Sequence, residues 1–283
     1  MKRRGWLTVI PGVAWLVMTV VIPLVLMILY SLAAGLKSGS PAPTGLGTLV
    51  NYTRLVDPLY FRIFQRSLVQ AIIATLLCLV MGYPLALLIA RSPVGKRERL
   101  LLLVIIPFWT NFLVRVTAWI VLLRNTGVLN SLLQWLGLID QPLELLYTEG
   151  AVQVGLVYTL LPLIILPLYS ALEKQDARLL DAAADLGAPP SKAFWNVTFP
   201  LSIPGVATGG LMVFIAAFGM FVVSDLLGGA KQVLVGNLIS NQFGGARNWP
   251  FGAATSIVLT LVVIALALVV QRLGKLNEGS ERS

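Results

Sequence analysis

Long apolar runs separated by short polar stretches make up most of this chain. A helix needs about 20 apolar residues to cross a bilayer, and six runs reach roughly that length: residues 6–32, 63–90, 100–123, 151–170, 203–227 and 251–271. Two shorter amphipathic pieces, residues 129–139 and 233–239, are predicted to lie at the membrane interface. The pattern therefore predicts an all-α polytopic membrane protein with six transmembrane helices.

The first apolar run follows the basic stretch Met1-Lys2-Arg3-Arg4, an order that is also typical of a signal peptide. This run is too long for a signal peptide and contains Pro11 and Pro23, so we interpret it as an uncleaved span. We predict three segments. They are a first span with an external segment (1–61), a core of five spans that includes the loop 171–200 (62–272), and a cytoplasmic tail (273–283).

Composition supports the membrane interpretation. Of the 283 residues, 57% are hydrophobic and 12% are charged, and the mean hydropathy is +0.86. The net charge of +9 does not indicate nucleic-acid binding, because the basic residues flank apolar runs and form no patch interleaved with aromatic residues. The single cysteine, Cys78, lies in an apolar run and cannot form an intrachain disulfide. The chain has no histidine, so we expect no metal site.

The distribution of basic residues predicts the orientation of the spans. With both termini in the cytoplasm, the inner segments would hold 13 basic residues and the outer segments with their span ends would hold seven, while Arg115 falls inside a span. This excess follows the positive-inside rule. It also places the most charged loop, residues 171–200, in the cytoplasm.

That loop has the pattern of two short helices separated by a turn. Seven charged residues fall between two spans: Glu173, Lys174, Asp176, Arg178, Asp181, Asp185 and Lys192. Gly187 followed by Pro189-Pro190 predicts the end of the first helix, and Ser191 is a suitable N-cap for the second. Spacing alone leaves two interpretations open, an ordinary solvated loop or a surface that docks into a soluble partner.

The same residues resemble the coupling loop of ABC importer permeases. In that family an acidic-Ala-Ala triplet is followed after three residues by Gly and, after nine more, by Ile-x-Leu-Pro. Here the order is Asp181-Ala182-Ala183, then Gly187, then Val197-Thr198-Phe199-Pro200. Asp replaces the usual Glu, Val replaces Ile and Phe replaces Leu. The resemblance implies that Asp181, Ala182, Ala183, Gly187 and Pro200 couple the chain to an ATPase.

Further segments resemble the first membrane subunit of spermidine/putrescine importers. They are NYTRLVDPLYF (51–61), CLVMGYPLA (78–86), PFWTNFLVR (107–115), SDLLGGAK (224–231) and NWPFGAATSI (248–257). The resemblance implies a polyamine importer in the bacterial inner membrane that works by alternating access. It also implies three kinds of partner: a second permease, a dimer of ATPase subunits and an external substrate-binding protein.

The chain lacks the signature of an ATPase. No G-x-x-x-x-G-K-[ST] occurs, and no pairing of a nucleophile with a base can be identified. We therefore expect no catalytic residue and no cofactor in this chain, with ATP and Mg²⁺ bound by the partner ATPase.

Four residues are candidates for a substrate path. A polyamine needs carboxylates for its ammonium groups and aromatic faces for its methylene stem, and Asp225, Trp109, Asn111 and Tyr158 offer such groups near or within apolar runs. The alternatives are that Asp225 caps a helix and that the aromatic residues anchor spans at the headgroups. Arg115 opposes a cation path and is expected to pair with a carbonyl or an acid.

Three other functions stay open at this point. The same importer could carry another solute, such as an opine, a phosphonate or a metal-anion complex. A stand-alone secondary transporter would be expected to place carboxylates or histidines within several spans, and these are missing here. A structural membrane scaffold would explain the hydrophobicity but not the loop motif.

Overall fold

The computed structural model describes residues 11–36, 43–46, 48–229 and 231–280. The basic stretch Met1–Arg4 lies outside the described residues. The helices are α1 (Pro11–Ser31), α2 (Val50–Arg54), α3 (Pro58–Ala90), α4 (Val94–Ile105), α5 (Phe112–Leu123), α6 (Val128–Trp135), α7 (Glu149–Glu173), α8 (Ala177–Asp185), α9 (Pro190–Ala193), α10 (Phe199–Gly219), α11 (Val222–Gly228), α12 (Val235–Phe243) and α13 (Trp249–Ser280).

Within these ranges six helical segments are long and apolar enough to cross a membrane. They are Pro11–Ser31, Pro58–Ala90, Phe112–Trp135, Glu149–Glu173, Pro190–Gly219 and Trp249–Arg272. The prediction of an all-α fold with six transmembrane helices is confirmed. A short antiparallel hairpin, β1 (Ala33–Leu36) and β2 (Pro43–Leu46), lies in the segment after α1. The three segment boundaries given above stay predictions.

The described chain divides into two compact units. One comprises residues 1–64 and 238–264, and the other comprises residues 65–237 and 265–283. In the first unit Asn51 fixes the chain after α1, because its Nδ2 donates to the carbonyls of Ser31 (3.0 Å) and Ala33 (2.9 Å). Arg54 lies over the ring of Phe251, 4.7 Å from its centroid.

The second unit is organised around the antiparallel pair of α7 and α10. Glycines allow these helices to approach closely. A Cβ on Gly205 would lie 2.6 Å from the Ala171 Cβ, and a Cβ on Gly209 would lie 3.0 Å from Ile164 Cγ1. Small residues at this spacing let transmembrane helices approach backbone to backbone. The pair flanks the charged loop, so the loop is connected directly to the most closely packed helices of the unit.

The third predicted span is not one continuous helix. Helix α4 ends at Ile105, a 3₁₀ turn covers Ile106–Trp109, and α5 starts at Phe112. Pro107 lacks the N–H that would continue the helix, and Asn111 caps α5 by accepting a hydrogen bond from the Leu113 N–H (2.8 Å). Apolar composition alone does not show this break.

The fifth predicted span is also divided. Helix α10 ends at Gly219, Met220 is extended with ψ 119°, and α11 follows. The start of α12 approaches this end closely, because a Cβ on Gly236 would lie 2.5 Å from the Gly219 carbonyl oxygen. The spanning helix therefore ends at Gly219, and the predicted span 203–227 is corrected accordingly.

The loop between α5 and α7 is held by one buried amide. Asn130 Nδ2 donates to the carbonyls of Arg124 (3.1 Å) and Leu143 (2.9 Å), and its Oδ1 accepts from the Leu143 N–H (2.9 Å). The loop ends at Tyr147, whose N–H donates to the Leu227 carbonyl (3.0 Å). The two predicted interface pieces are the short helices α6 and α12, which start at residues 128 and 235.

Candidate functional site

The charged loop forms two helices that project from the α7–α10 pair. Asp176 caps α8, since its Oδ1 accepts from the Arg178 N–H (3.0 Å). Asp181 and Ala182 are exposed on α8, Ala183 is half-buried, and Leu186 at the end of the helix is 88% exposed. An exposed helix with apolar residues on its surface has the character of a docking surface.

Gly187 ends α8 in the way that its position predicts. Its φ of +76° lies in the left-handed region that glycine adopts without steric cost. The Gly187 N–H donates to the Ala184 carbonyl (2.8 Å), and the Ala188 N–H donates to the Ala183 carbonyl (3.0 Å). These two bonds satisfy carbonyls at the helix end and reverse the chain direction toward Pro189.

The second helix of the loop starts two residues earlier than predicted. Pro189 is its N-cap and Pro190 its first residue, so the prediction of Ser191 as the N-cap is wrong. Proline suits the first helical position because its missing N–H would have no partner there. Ser191 instead lies within the first turn and is exposed.

A π-helical turn joins α9 to α10. It covers Phe194–Thr198, and the Phe199 N–H donates to the Phe194 carbonyl five residues back. Pro200 follows directly and cannot donate to the ladder, which explains a widened turn at this point. Pro200 therefore lies at the start of α10, where the loop becomes a transmembrane helix.

The π turn packs against α3 through aromatic rings. The ring of Tyr83 lies 5.7 Å from that of Phe194 and 6.0 Å from that of Phe199, measured between centroids. Trp195 lies 5.1 Å from Phe199 and remains 61% exposed. The return arm of the loop is therefore attached to a helix far from it in sequence.

An open cavity of about 700 Å³ lies beside the loop. Its walls come from the end of α7, the start of α8 and the first turns of α10, and they include Pro167, Lys174, Asp176, Pro204 and Thr208. Both α7 and α10 carry internal prolines next to it, Pro167 and Pro204. The cavity therefore opens where the loop meets the α7–α10 pair.

The four candidate substrate residues do not form one cluster. Asp225 is exposed on α11 and accepts a hydrogen bond from Asn237 Nδ2. Tyr158 on α7 makes an edge-to-face contact with Trp119 at 5.6 Å. Trp109 is 81% exposed in the 3₁₀ turn, and Asn111 serves as a helix cap. The helices α5, α7 and α11 do pack against one another, so three of the four residues lie on or beside mutually contacting helices.

Arg115 lies near the start of α5. Its guanidinium stands 4.6 Å from the centroid of the Phe108 ring. Its buried Nε and Nη1 have no hydrogen-bond partner among the described residues. The predicted pairing with a carbonyl or an acid is therefore not found there, and the contact with Phe108 replaces it.

No cluster of three or more metal-ligating residues occurs in the part of the chain that the structure describes. The sequence interpretation missed Tyr83 and Gln175, which contact the return arm of the loop, because nothing local marks them. It also missed the pair Gly205 and Gly209, whose G-x-x-x-G spacing on an apolar helix is a readable signal of close helix packing.

Six spanning helices and an exposed helix-turn-helix between two of them define a multi-pass transport permease. The chain belongs to the family described as "Binding-protein-dependent transport system inner membrane component", whose profile matches residues 82–282. It is a transport protein of the inner membrane and not an enzyme.

Individual relatives match nearly the whole chain. The chain is 48% identical over 264 residues to "Spermidine/putrescine transport system permease protein PotB" of Escherichia coli (strain K12), covering 93% of this chain and 95% of that protein. It is 46% identical over 263 residues to the protein of the same name from Haemophilus influenzae, covering 93% and 91%. It is 34% identical over 241 residues to "Inner membrane ABC transporter permease protein YdcU" of Escherichia coli, covering 80% and 76%.

A solved structure shares the fold. A chain of a bacterial ABC transporter involved in the import of the acidic polysaccharide alginate superposes with a TM-score of 0.78 at 16% identity, covering 96% of both chains. At this identity the match supports the fold alone.

Proposed function

We propose that this chain is the permease subunit of an ATP-driven spermidine/putrescine importer. The observation that carries the proposal is the 48% identity over 93% of the chain to a spermidine/putrescine permease. The relatives do not favour the alternative of another small solute, because the two matches given above that cover more than 90% of both chains bear the polyamine name.

The proposed assembly contains a second permease, two ATPase subunits and an external binding protein. The exposed loop 176–190 supports an ATPase partner, since it presents Asp181, Ala182 and Leu186 to solvent. A transporter with the same permease fold has been solved in complex with a periplasmic protein that carries its alginate substrate. An external partner for this chain is proposed on that basis and from its family.

Alternating access is the proposed mechanism. ATP binding closes the ATPase pair and draws the coupling loops of the two permeases together. Because α8 and α9 continue into α7 and α10, their displacement rotates this helix pair and opens the path on the outer side. Hydrolysis releases the ATPase pair and returns the path to the inner side.

Reconstitution tests the proposal. The chain is co-expressed with the second permease and the ATPase of its own transport system and placed in proteoliposomes with ATP inside. Spermidine is added outside with the binding protein. We expect accumulation of labelled spermidine that requires ATP, the ATPase and the binding protein. Uptake that persists without the ATPase would contradict the proposal and favour a secondary transporter.

A substrate-path role for Asp225 is part of the proposal, together with Trp109, Asn111 and Tyr158. Asp225 carries the charge complementary to an ammonium group and is exposed on α11. In Asp225→Asn the side chain keeps an oxygen that can accept from Asn237, while the charge is lost. We expect a raised KM for spermidine with an unchanged amount of assembled complex. An unchanged KM would show that Asp225 has no role in the substrate path and serves only as the hydrogen-bond acceptor for Asn237.

The proposed orientation places both termini in the cytoplasm. Leu186→Cys and Leu136→Cys, each made in a Cys78→Ala background, test it, because both leucines are strongly exposed and lie in loops predicted on opposite sides. A membrane-impermeant thiol reagent added to intact cells with a permeable outer membrane should label position 136 and not position 186. Labelling of position 186 from outside would invert the topology.

A further inference from the structure

A set of side chains outside the coupling motif holds the point where the loop enters the membrane. We name these residues, Tyr83, Arg91, Gln175, Thr198 and Ser202, the loop junction. They come from the end of α3, the residue pair after α7, the π turn and the first turn of α10. Thr198 and Ser202 are almost fully buried, at 1% and 0% exposure, so the junction lies inside the protein and not on its surface.

Polar bonds join three helices at this junction. Gln175 Nε2 donates to the Thr198 carbonyl at 3.0 Å, and Arg91 Nη2 lies 3.4 Å from the Thr198 hydroxyl. The Ser202 hydroxyl donates to the Phe199 carbonyl at 2.7 Å. Since a serine hydroxyl has one hydrogen, the Tyr83 hydroxyl donates the remaining 2.9 Å bond to Ser202.

Aromatic packing strengthens the attachment to α3. Tyr83 contributes both its hydroxyl and its ring, and the ring contacts Phe194 and Phe199 on either end of the π turn. Edge-to-face and tilted contacts between aromatic rings stabilise packing beyond the area that they bury. Tyr83 therefore attaches both ends of the π turn to a third transmembrane helix, and Arg91, directly after the end of α3, adds the longer 3.4 Å contact with Thr198.

The π turn needs such an attachment. Pro200 removes one backbone hydrogen bond directly after it, and widened turns of this kind are places where helices bend. A loop displaced by its ATPase could therefore be accommodated by bending at Phe194–Thr198, with α10 left in place. The bonds from Gln175 and Tyr83 oppose that bending.

We infer that Tyr83 and Gln175 are positioning residues that make the π turn rigid, so that displacement of the coupling loop moves α3, α7 and α10 together. The inference rests on the proposed function, because it presupposes an ATPase that displaces the loop. Neither residue belongs to the coupling motif, and neither needs to touch the ATPase or the substrate.

The test measures spermidine taken up per ATP hydrolysed by the complete importer in proteoliposomes. Tyr83→Leu removes both ring contacts and the hydroxyl, and we expect roughly a tenfold fall in uptake per ATP, the size that corresponds to the loss of two aromatic contacts. Tyr83→Phe keeps the rings and should lie within about threefold of the wild type, since it loses one hydrogen bond. Gln175→Leu keeps the side-chain volume and should fall by about fivefold.

Tyr60→Leu is the matched control. It removes an aromatic pair of the same kind, Tyr60 with Phe251 at 4.8 Å, which has no part in the junction. Its uptake per ATP should equal that of the wild type. Co-purification of the ATPase with each variant shows that the complex still assembles.

The outcomes separate this inference from the proposed function. The inference is overturned if uptake per ATP stays unchanged in both Tyr83→Leu and Gln175→Leu. This includes the case in which uptake and hydrolysis both fall by the same factor. If the Tyr83→Leu complex does not assemble, the uptake per ATP of Gln175→Leu decides whether the inference holds. Wild-type complexes that take up no spermidine contradict the proposed function instead.

Discussion

Close packing of α7 against α10 leads to a quantitative prediction for Gly205. An alanine Cβ at this position would lie 2.6 Å from the Ala171 Cβ, 3.0 Å from the Pro167 carbonyl oxygen and 3.3 Å from the Leu168 Cα. Carbon atoms in contact normally stand about 3.5–4.0 Å apart. Two of these three neighbours are backbone atoms, so the helices must separate by about 1 Å to accept the methyl group.

Gly210 on the same helix is the matched control. A Cβ there would find only Thr75 Cγ2 within reach, at an ordinary 3.8 Å. Both substitutions improve helix propensity by about 1 kcal/mol, so this term cancels in the comparison. Overpacking then costs Gly205→Ala roughly 1–3 kcal/mol relative to Gly210→Ala.

Unfolding in mixed micelles measures the difference. Purified variants are titrated with SDS while circular dichroism and tryptophan fluorescence are recorded, and the free energies of unfolding are compared. We expect Gly205→Ala to be less stable than the wild type or equal to it, and Gly210→Ala to be more stable. Equal free energies for the two variants would refute the packing argument, because only their surroundings differ.

Three further predictions concern single residues. Gly187→Leu should abolish spermidine uptake while the protein still inserts into the membrane. A left-handed conformation costs a branched residue about 1–2 kcal/mol, so the end of α8 would be displaced. Normal ATP-driven uptake would contradict this prediction. Arg115→Met should leave the SDS midpoint unchanged or raised, since two of its buried N–H groups have no acceptor in the described structure; a lower midpoint would show that its contact with Phe108 stabilises the fold. Glu173→Gln should leave the SDS midpoint nearly unchanged, because it removes only the charge from the partly exposed 2.7 Å ion pair with Arg97 and leaves the Arg97 bond to the Ala90 carbonyl in place. A clearly lower midpoint would assign the ion pair a structural role.

Hydropathy and the positions of glycine and proline were sufficient to predict the main architecture. A run of about 20 apolar residues has few stable alternatives to a membrane helix. Gly187 and the prolines after it fixed the turn of the loop, because their backbone constraints act locally. These features depend on neighbouring residues alone, and the sequence contains them in full.

Features that depend on distant contacts were not predicted. The breaks at Pro107 and Met220 lie inside continuous apolar runs, and hydropathy does not distinguish a continuous helix from a divided one. The hydrogen bond between Tyr83 and Ser202 joins residues 119 positions apart, so nothing near either residue indicates it. The candidate substrate residues were chosen by chemical type, and type does not determine which helix faces meet.

The amide of Asn130 has a consequence for the connection between α5 and α7. A connection of this length between two spans would ordinarily sample many conformations, and a protein that binds to it would have to restrict them. Three hydrogen bonds from the Asn130 side chain and a fourth from the Tyr147 N–H give the connection a defined shape before any partner binds. In the proposed topology, an external binding protein that contacts this connection would therefore lose little affinity to ordering it.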